Sequence, residues 1–214
     1  MIHNNLSVLM AKRNVKAARV SAETGISRST LNSISNNSSK MIQMETINTL
    51  CSYLKVEPND FFSFSPIDFS FNFQFPLSKP VRFGSDGFGG EHWWVKLLPV
   101  EGDLFITATK NFQKLSLLEL TFSYKGVSFE GVDDRYDFPL RLDVDILDNK
   151  EKTFQKFWDA NVLTDYYTIL SNQIRDSFIK SLSSQRDIAY TFDTYGLSFD
   201  RDIQVNISSP VLPF

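Results

Sequence analysis

Val20-Ser21-Ala22-Glu23-Thr24-Gly25-Ile26-Ser27-Arg28-Ser29-Thr30-Leu31-Asn32-Ser33-Ile34 reads as two short amphipathic helices joined by a tight turn. A periodic run from Ala17 to Thr24 stops at Gly25, which takes the left-handed conformation without a Cβ penalty. Ser27 stands where an N-cap belongs, so Arg28 to Ile34 reads as a second helix with Leu31 and Ile34 facing inward. Upstream, Leu6, Leu9 and Met10 recur at helical spacing, with Lys12 and Arg13 on the polar side. Downstream, Met44, Ile47, Leu50, Cys51 and Leu54 repeat by threes and fours, and Val56 with Phe61 and Phe62 closes the bundle from beneath. These periods predict an all-α domain over residues 1–65. The boundary falls at Ser65-Pro66, because proline disfavours helix at the residue before it.

This stretch resembles the helix-turn-helix of the Cro and phage-repressor-like (XRE-type) family of bacterial DNA-binding proteins. The resemblance covers about residues 4–65, since Leu50 to Phe62 is similar to that family's fourth helix and exit. Each matched position has a physical reason: Ser21 is small enough for two helices to approach, Gly25 permits the turn, Ile26 plugs the gap and Ser27 starts the next helix. The resemblance implies sequence-specific binding of double-stranded DNA, with the second helix entering the major groove by its N-terminal residues. It makes Ser27, Arg28, Ser29, Thr30, Asn32 and Ser33 the exposed recognition positions. Arg28 suits bidentate pairing with guanine and Asn32 with adenine. The hydroxyls of Ser29, Thr30 and Ser33 are placed for bases or phosphates, and Lys16, Arg19 and Lys40 for phosphates. Two departures stand out: Lys16-Ala17 replaces the family's usual Thr-Gln, and Asn36-Asn37-Ser38-Ser39 follows the recognition helix where many relatives carry a glutamate or arginine and a glycine.

The 214 residues carry a formal charge of −3 that hides an asymmetry: residues 1–66 hold seven basic and four acidic groups, and the remainder fifteen and twenty-one. A head of +3 binds DNA weakly as a monomer at physiological salt, which predicts a homodimer on paired half-sites, its contact sought in the second module. The single cysteine, Cys51, rules out an intramolecular disulfide and fits a reducing cytoplasm. No apolar stretch approaches the ~18 residues of a membrane span. The first five residues lack the layout of an export signal. The expectation is a cytoplasmic protein with no membrane partner.

Residues 66–214 form the second predicted domain, with all three tryptophans and seventeen of the twenty phenylalanines. Phe69 to Phe75 alternates strictly, the signature of a half-buried strand, and further strands are predicted over 92–98, 103–109, 115–124, 127–129 and 141–146. Lys125-Gly126 reads as a hairpin turn between two of them. From Lys152 to about Leu182 the period becomes helical, tracing one face of a long helix with at most one break. Residues 188–192, 197–199 and 203–207 read as short closing strands. Together they predict a separate α+β domain, an antiparallel sheet packed by a long helix, for dimerisation or partner binding.

Chemistry is sparse in this half. Gly84 to Gly90 is glycine-rich, but no Lys-Ser/Thr follows, so a turn before the strand at His92 is the reading. His92 beside Glu91 has no second histidine or nucleophile near it. Asp133, Asp134, Asp137, Asp143, Asp145 and Asp148 cluster in sequence; Asp143 and Asp145 share a strand face that suits a divalent cation, but a solvated sheet face is the commoner meaning. No catalytic residue, metal site or cofactor is therefore assigned. There is no serine–lysine self-cleavage pattern and no 34-residue helical repeat. Trp93 and Trp94 are adjacent, so on a strand one is buried and the other is either covered by the long helix or exposed.

Three functions follow. The leading one is a transcriptional regulator of phage or mobile-element type that represses a nearby promoter, its own included. A second resembles anti-CRISPR proteins in which such a head is fused to an inhibitor of a host RNA-guided nuclease; here the acidic, aromatic-rich half would occupy the nuclease's basic channel. An enzyme ranks last, for want of any nucleophile, metal or cofactor signature. The bland alternative for the head is a helical scaffold used for protein contacts.

Overall fold

The computed structural model describes residues 2–76, 80–86, 92–132, 135–136, 140–147, 153–162 and 166–210. The chain divides into a first unit ending at Asp68 and a second beginning at Phe69.

Helical periodicity and local caps build the first unit in the order β1 (Ile2–Asn4), α1 (Leu6–Lys12), α2 (Ala17–Thr24), α3 (Arg28–Ser35), α4 (Met44–Leu54), α5 (Pro58–Phe61) and β2 (Phe62–Phe64). The inward residues of the five helices form one core: Leu6, Leu9, Met10, Val20, Leu31, Ile34, Ile47, Leu50, Cys51, Leu54 and Phe61. Burying each leucine or isoleucine contributes about 1.5–3 kcal/mol, enough for a few such residues to fix where a helix lies. α4 ends where Lys55 turns left-handed at φ 52°, and Pro58 opens α5 where its missing N–H costs nothing. The unit is not all-α, as the periods predict. β1 and β2 pair antiparallel, Ile2 opposite Phe64 and Asn4 opposite Phe62. Three-residue strands are too short for alternation to show.

Apart from the first two residues of β3 (Ile67–Gln74), which belong to the first unit, the second unit is built on two sheets. One has the order β11-β10-β7-β6-β3, built from Ile203–Ser208, Leu140–Leu147, Gln113–Tyr124, Val100–Lys110 and Ile67–Gln74. The other has the order β4-β5-β8-β9, from Val81–Asp86, His92–Leu97, Val127–Val132 and Arg135–Tyr136. The expected single antiparallel sheet is thus replaced by two, and one is mixed, because β10 and β11 run parallel.

Lys125-Gly126 is not the hairpin turn its composition suggests. β7 pairs with β6 and β10, whereas β8 pairs with β5 and β9. Two adjacent segments cross between the sheets together, with Leu97 opposite Val127 in one and Val100 opposite Tyr124 in the other. Glycine is required at the corner: a Cβ on Gly126 would lie 2.7 Å from Pro99 Cδ and 2.9 Å from the Leu97 carbonyl. Such corners, where strands switch sheets, let a twisted ladder fold over on itself.

The helical span expected from Lys152 to about Leu182, with at most one break, holds helices α6 (Thr153–Asn161) and α7 (Tyr167–Ser183); residues 163–165 lie outside the described residues. Phe178 of α7 is fully buried, with its ring 5.2 Å from Phe73, 5.8 Å from Phe75 and Phe122, and 6.2 Å from Tyr124. Three of these contacts are edge-to-face, the arrangement aromatic quadrupoles favour. Part of the phenylalanine surplus is thereby accounted for as core.

Residues 188–192 and 197–199 are not strands. The first lies in α8 (Arg186–Thr194), where Ile188, Thr191 and Phe192 turn one face inward. Gly196, at φ 64°, ends that helix, and Phe199 opens α9 (Phe199–Asp202). The Phe192 and Phe199 rings then stack at 4.3 Å. Gly84 also departs from the expected turn: it lies within β4, while residues 87–91 fall outside the described residues.

Candidate nucleic-acid interface

The turn between α2 and α3 is made by backbone conformation rather than by crowding. Gly25 has φ 76° and donates its N–H to the Ser21 carbonyl at 2.9 Å, and nothing lies within 4 Å of a Cβ placed there. A side chain would fit the space but not the left-handed backbone. Ile26 packs partly buried against the core, as a plug between the helices. Ser27 is extended and its Oγ accepts the Thr30 N–H at 3.1 Å, a cap worth about 1 kcal/mol. The same Oγ lies 2.8 Å from Ser29 Oγ and from Thr30 Oγ1, gathering three hydroxyls at the start of α3.

Leu31 and Ile34 bury one side of α3, leaving Ser27, Arg28, Ser29, Thr30 and Asn32 exposed and Ser33 half-buried. Arg28 and Asn32 are four residues apart and share a face; neither side chain is hydrogen-bonded or ion-paired among the described residues. Ser33 is partly occupied, its Oγ 3.3 Å from Ser38 Oγ.

The three expected phosphate contacts differ in freedom. Lys16 is exposed at the N-cap of α2, which has no side-chain cap, so the first N–H groups of that helix offer the setting in which anions bind. Lys40 is exposed beyond α3. Arg19 is exposed but engaged: its Nε donates to Glu23 Oε1 at 2.9 Å. Glu23 Oε2 in turn accepts the Tyr53 hydroxyl at 2.5 Å. The bonds from Tyr53 and Arg19 hold the Glu23 carboxyl below its ordinary range, and the bond to Glu23 raises both partners.

A positioning device at the other end of α3 escaped the sequence reading. Asn37 is left-handed at φ 54°, the conformation that a glycine commonly supplies after a helix. Its Oδ1 accepts the Asn4 backbone N–H at 2.8 Å and Asn4 Nδ2 at 2.7 Å, and its own Nδ2 donates to the Asn4 carbonyl at 3.1 Å. Asn4, 5% exposed, also donates from Nδ2 to the Ile34 carbonyl at 2.8 Å. Strand β1 is therefore clamped onto the C-terminal end of α3. The available signal was the Asn36-Asn37 pair itself, since asparagine is the residue that best tolerates αL after glycine.

Residues 5–66 match the family model described as the Cro/C1-type HTH DNA-binding domain. The chain thus carries a DNA-binding head of the Cro/C1 type, the kind found in transcription regulators. No curated protein and no solved structure matches it.

The weaker candidates of the second half separate on inspection. His92 Nε2 is 3.6 Å from Glu130 Oε2; Glu91, its expected neighbour, lies outside the described residues. Asp143 Oδ1 accepts from Asn206 Nδ2 at 2.9 Å, and Asp145 accepts from the Ser208 hydroxyl, so both serve the parallel β10–β11 pair. Asp133, Asp134, Asp137 and Asp148 lie outside the described residues. Among the described residues, no group of three His, Cys, Asp or Glu side chains is placed to hold a metal, and no helix is long and apolar enough to cross a membrane. Trp93 is the buried one of the pair and stacks on Tyr195 at 5.1 Å, just beyond α8, while Trp94 is half-exposed on the opposite face.

Proposed function

We propose that this protein is a sequence-specific transcriptional repressor, acting on its own or a nearby promoter, that inserts α3 into the major groove of a palindromic operator. The observation that carries this reading is the α3 surface. Its inward side is sealed by Leu31 and Ile34, while Arg28 and Asn32 project together from the outward side without protein partners among the described residues. Those two side chains carry the bidentate donors and acceptors that distinguish guanine and adenine. The hydroxyls of Ser27, Ser29, Thr30 and Ser33 line the approach to bases and sugar-phosphate, and Lys16 and Lys40 contact phosphate. Arg19 joins them once released from Glu23.

The second unit supplies the homodimer contact or binds a regulating protein. A head of +3 gains affinity chiefly by presenting two copies of α3 to two half-sites.

The test is electrophoretic retardation of promoter fragments upstream of the protein's own gene. The wild type should shift a palindromic fragment with strong salt dependence. Arg28→Ala with Asn32→Ala should weaken that shift at least about thirtyfold, each bidentate pair discriminating by roughly 1–3 kcal/mol. A double variant that shifts the same fragment unchanged overturns the assignment.

A further inference from the structure

The outward face of the β4-β5-β8-β9 sheet is built unlike a merely solvated one. Alternation along β5 buries Trp93, Val95 and Leu97 and turns His92, Trp94 and Lys96 outward. Register then sets the neighbours: Gly84 of β4 lies opposite Trp94, Arg82 opposite Lys96, and Glu130 of β8 opposite Trp94 from the other side. The Trp94 indole lies against Gly84 so closely that a Cβ there would meet Cζ2 at 2.9 Å and Cε2 at 3.0 Å. Glycine is therefore what lets the indole lie down on the sheet.

Beside this ring, Arg82 and Lys96 are exposed and directly cross-strand, an arrangement that costs stability because like charges oppose each other. Neither is ion-paired among the described residues, and Trp94 makes no ring contact among them. Glu130, opposite Trp94, has its Oε2 3.6 Å from His92 Nε2, toward the other end of the face. A flat half-exposed indole with two cations unpaired among the described residues at one end complements a planar group carrying a phosphate.

We propose that this face binds single-stranded nucleic acid, with a base stacked on Trp94 and the adjoining phosphate held by Arg82 and Lys96. Stacking on an aromatic platform with cations along the backbone is how single strands are held without sequence preference. The activity is separate from duplex recognition by α3 and does not depend on it.

The experiment uses the full chain and a fluorescent fifteen-nucleotide oligothymidine, read by anisotropy over a salt series, beside a random duplex of the same length. Arg82→Gln with Lys96→Gln, both exposed and safe for folding, should weaken single-strand binding about tenfold. It should also flatten the log–log salt slope by about 0.7, the contribution of the one phosphate that the pair holds. Trp94→Leu should weaken it about tenfold with the slope unchanged, since stacking releases no counterions. Arg28→Ala with Asn32→Ala should leave single-strand binding intact, and the duplex should respond less than twofold to the sheet variants. The proposal is overturned if the wild type does not bind the single strand, or if binding survives the charge-pair variant. It fails equally if Trp94→Leu has no effect while remaining folded by circular dichroism, or if the α3 variant abolishes single-strand binding.

Discussion

Arg19 shows how one neighbour decides whether a cation is available to DNA. Glu23 takes its guanidinium at 2.9 Å and Tyr53 steadies Glu23, so a phosphate must compete with an existing partner. Exposed pairs of this kind are worth little in stability, so their consequence is for binding. Glu23→Gln should tighten duplex binding several-fold and steepen the log–log salt slope by about 0.9, one more phosphate contact, as measured by anisotropy. Asn37 offers a second test, because it combines a conformation with a set of hydrogen bonds. Asn37→Gly keeps the left-handed turn and loses the clamp; Asn37→Ala loses both. Thermal melts should rank wild type above Asn37→Gly and that above Asn37→Ala, the last gap being about 1–2 kcal/mol from the αL penalty alone. Equal melting of the two variants would show that the turn carries no strain.

Among the elements, α9 depends on an acid. Asp202 is almost fully buried, accepts the Ser198 N–H at 2.7 Å and is held by Arg201 Nε at 2.8 Å. The bond from Arg201, followed by that from Ser198, keeps its carboxyl below the ordinary range despite burial. A lowered native pKa means that the contribution is complete above the unfolded value of about 3.9 and is lost as pH falls through the native value. Asp202→Asn should therefore lower the melting temperature of the second unit at pH 7 and narrow its difference from wild type at pH 3. Elements also show where the sequence was legible. The head could be read because its signals are local: Gly25 and Ser27 each act within four residues, and Leu31 and Ile34 mark a face within one turn. The alternation over 69–75 and 141–146 was legible for the same reason, and those runs fall on β3 and β10 but for Phe75. Residues 188–192 misled because Ile-Ala-Tyr-Thr-Phe alternates bulk and is rich in β-formers, whereas burial selects Ile188, Thr191 and Phe192 at helical spacing. The corner at Pro99 and Gly126, the parallel β10–β11 pair and the Asn4–Asn37 clamp involve partners some thirty to sixty residues apart, and no local pattern announces them.

For the molecule as a whole, the proposed duplex function turns on symmetry. Two copies of α3 meet successive major-groove faces only when half-sites lie one helical turn apart, about 10 base pairs centre to centre. Inserting five base pairs between half-sites should lower affinity at least about tenfold in a retardation titration, and inserting ten should restore part of it. Equal affinity for all three spacings would mean that the head acts as a monomer.

The pairing of β1 with β2 has a mechanical consequence. Ile2 lies opposite Phe64, so tension applied across residues 2 and 64 peels the short ladder one rung at a time instead of shearing its rungs together. Asn4 terminates that ladder and holds the tail of α3, so a tug on the first strand is passed to the reading helix. The head is fastened like a zip whose last tooth is also the latch.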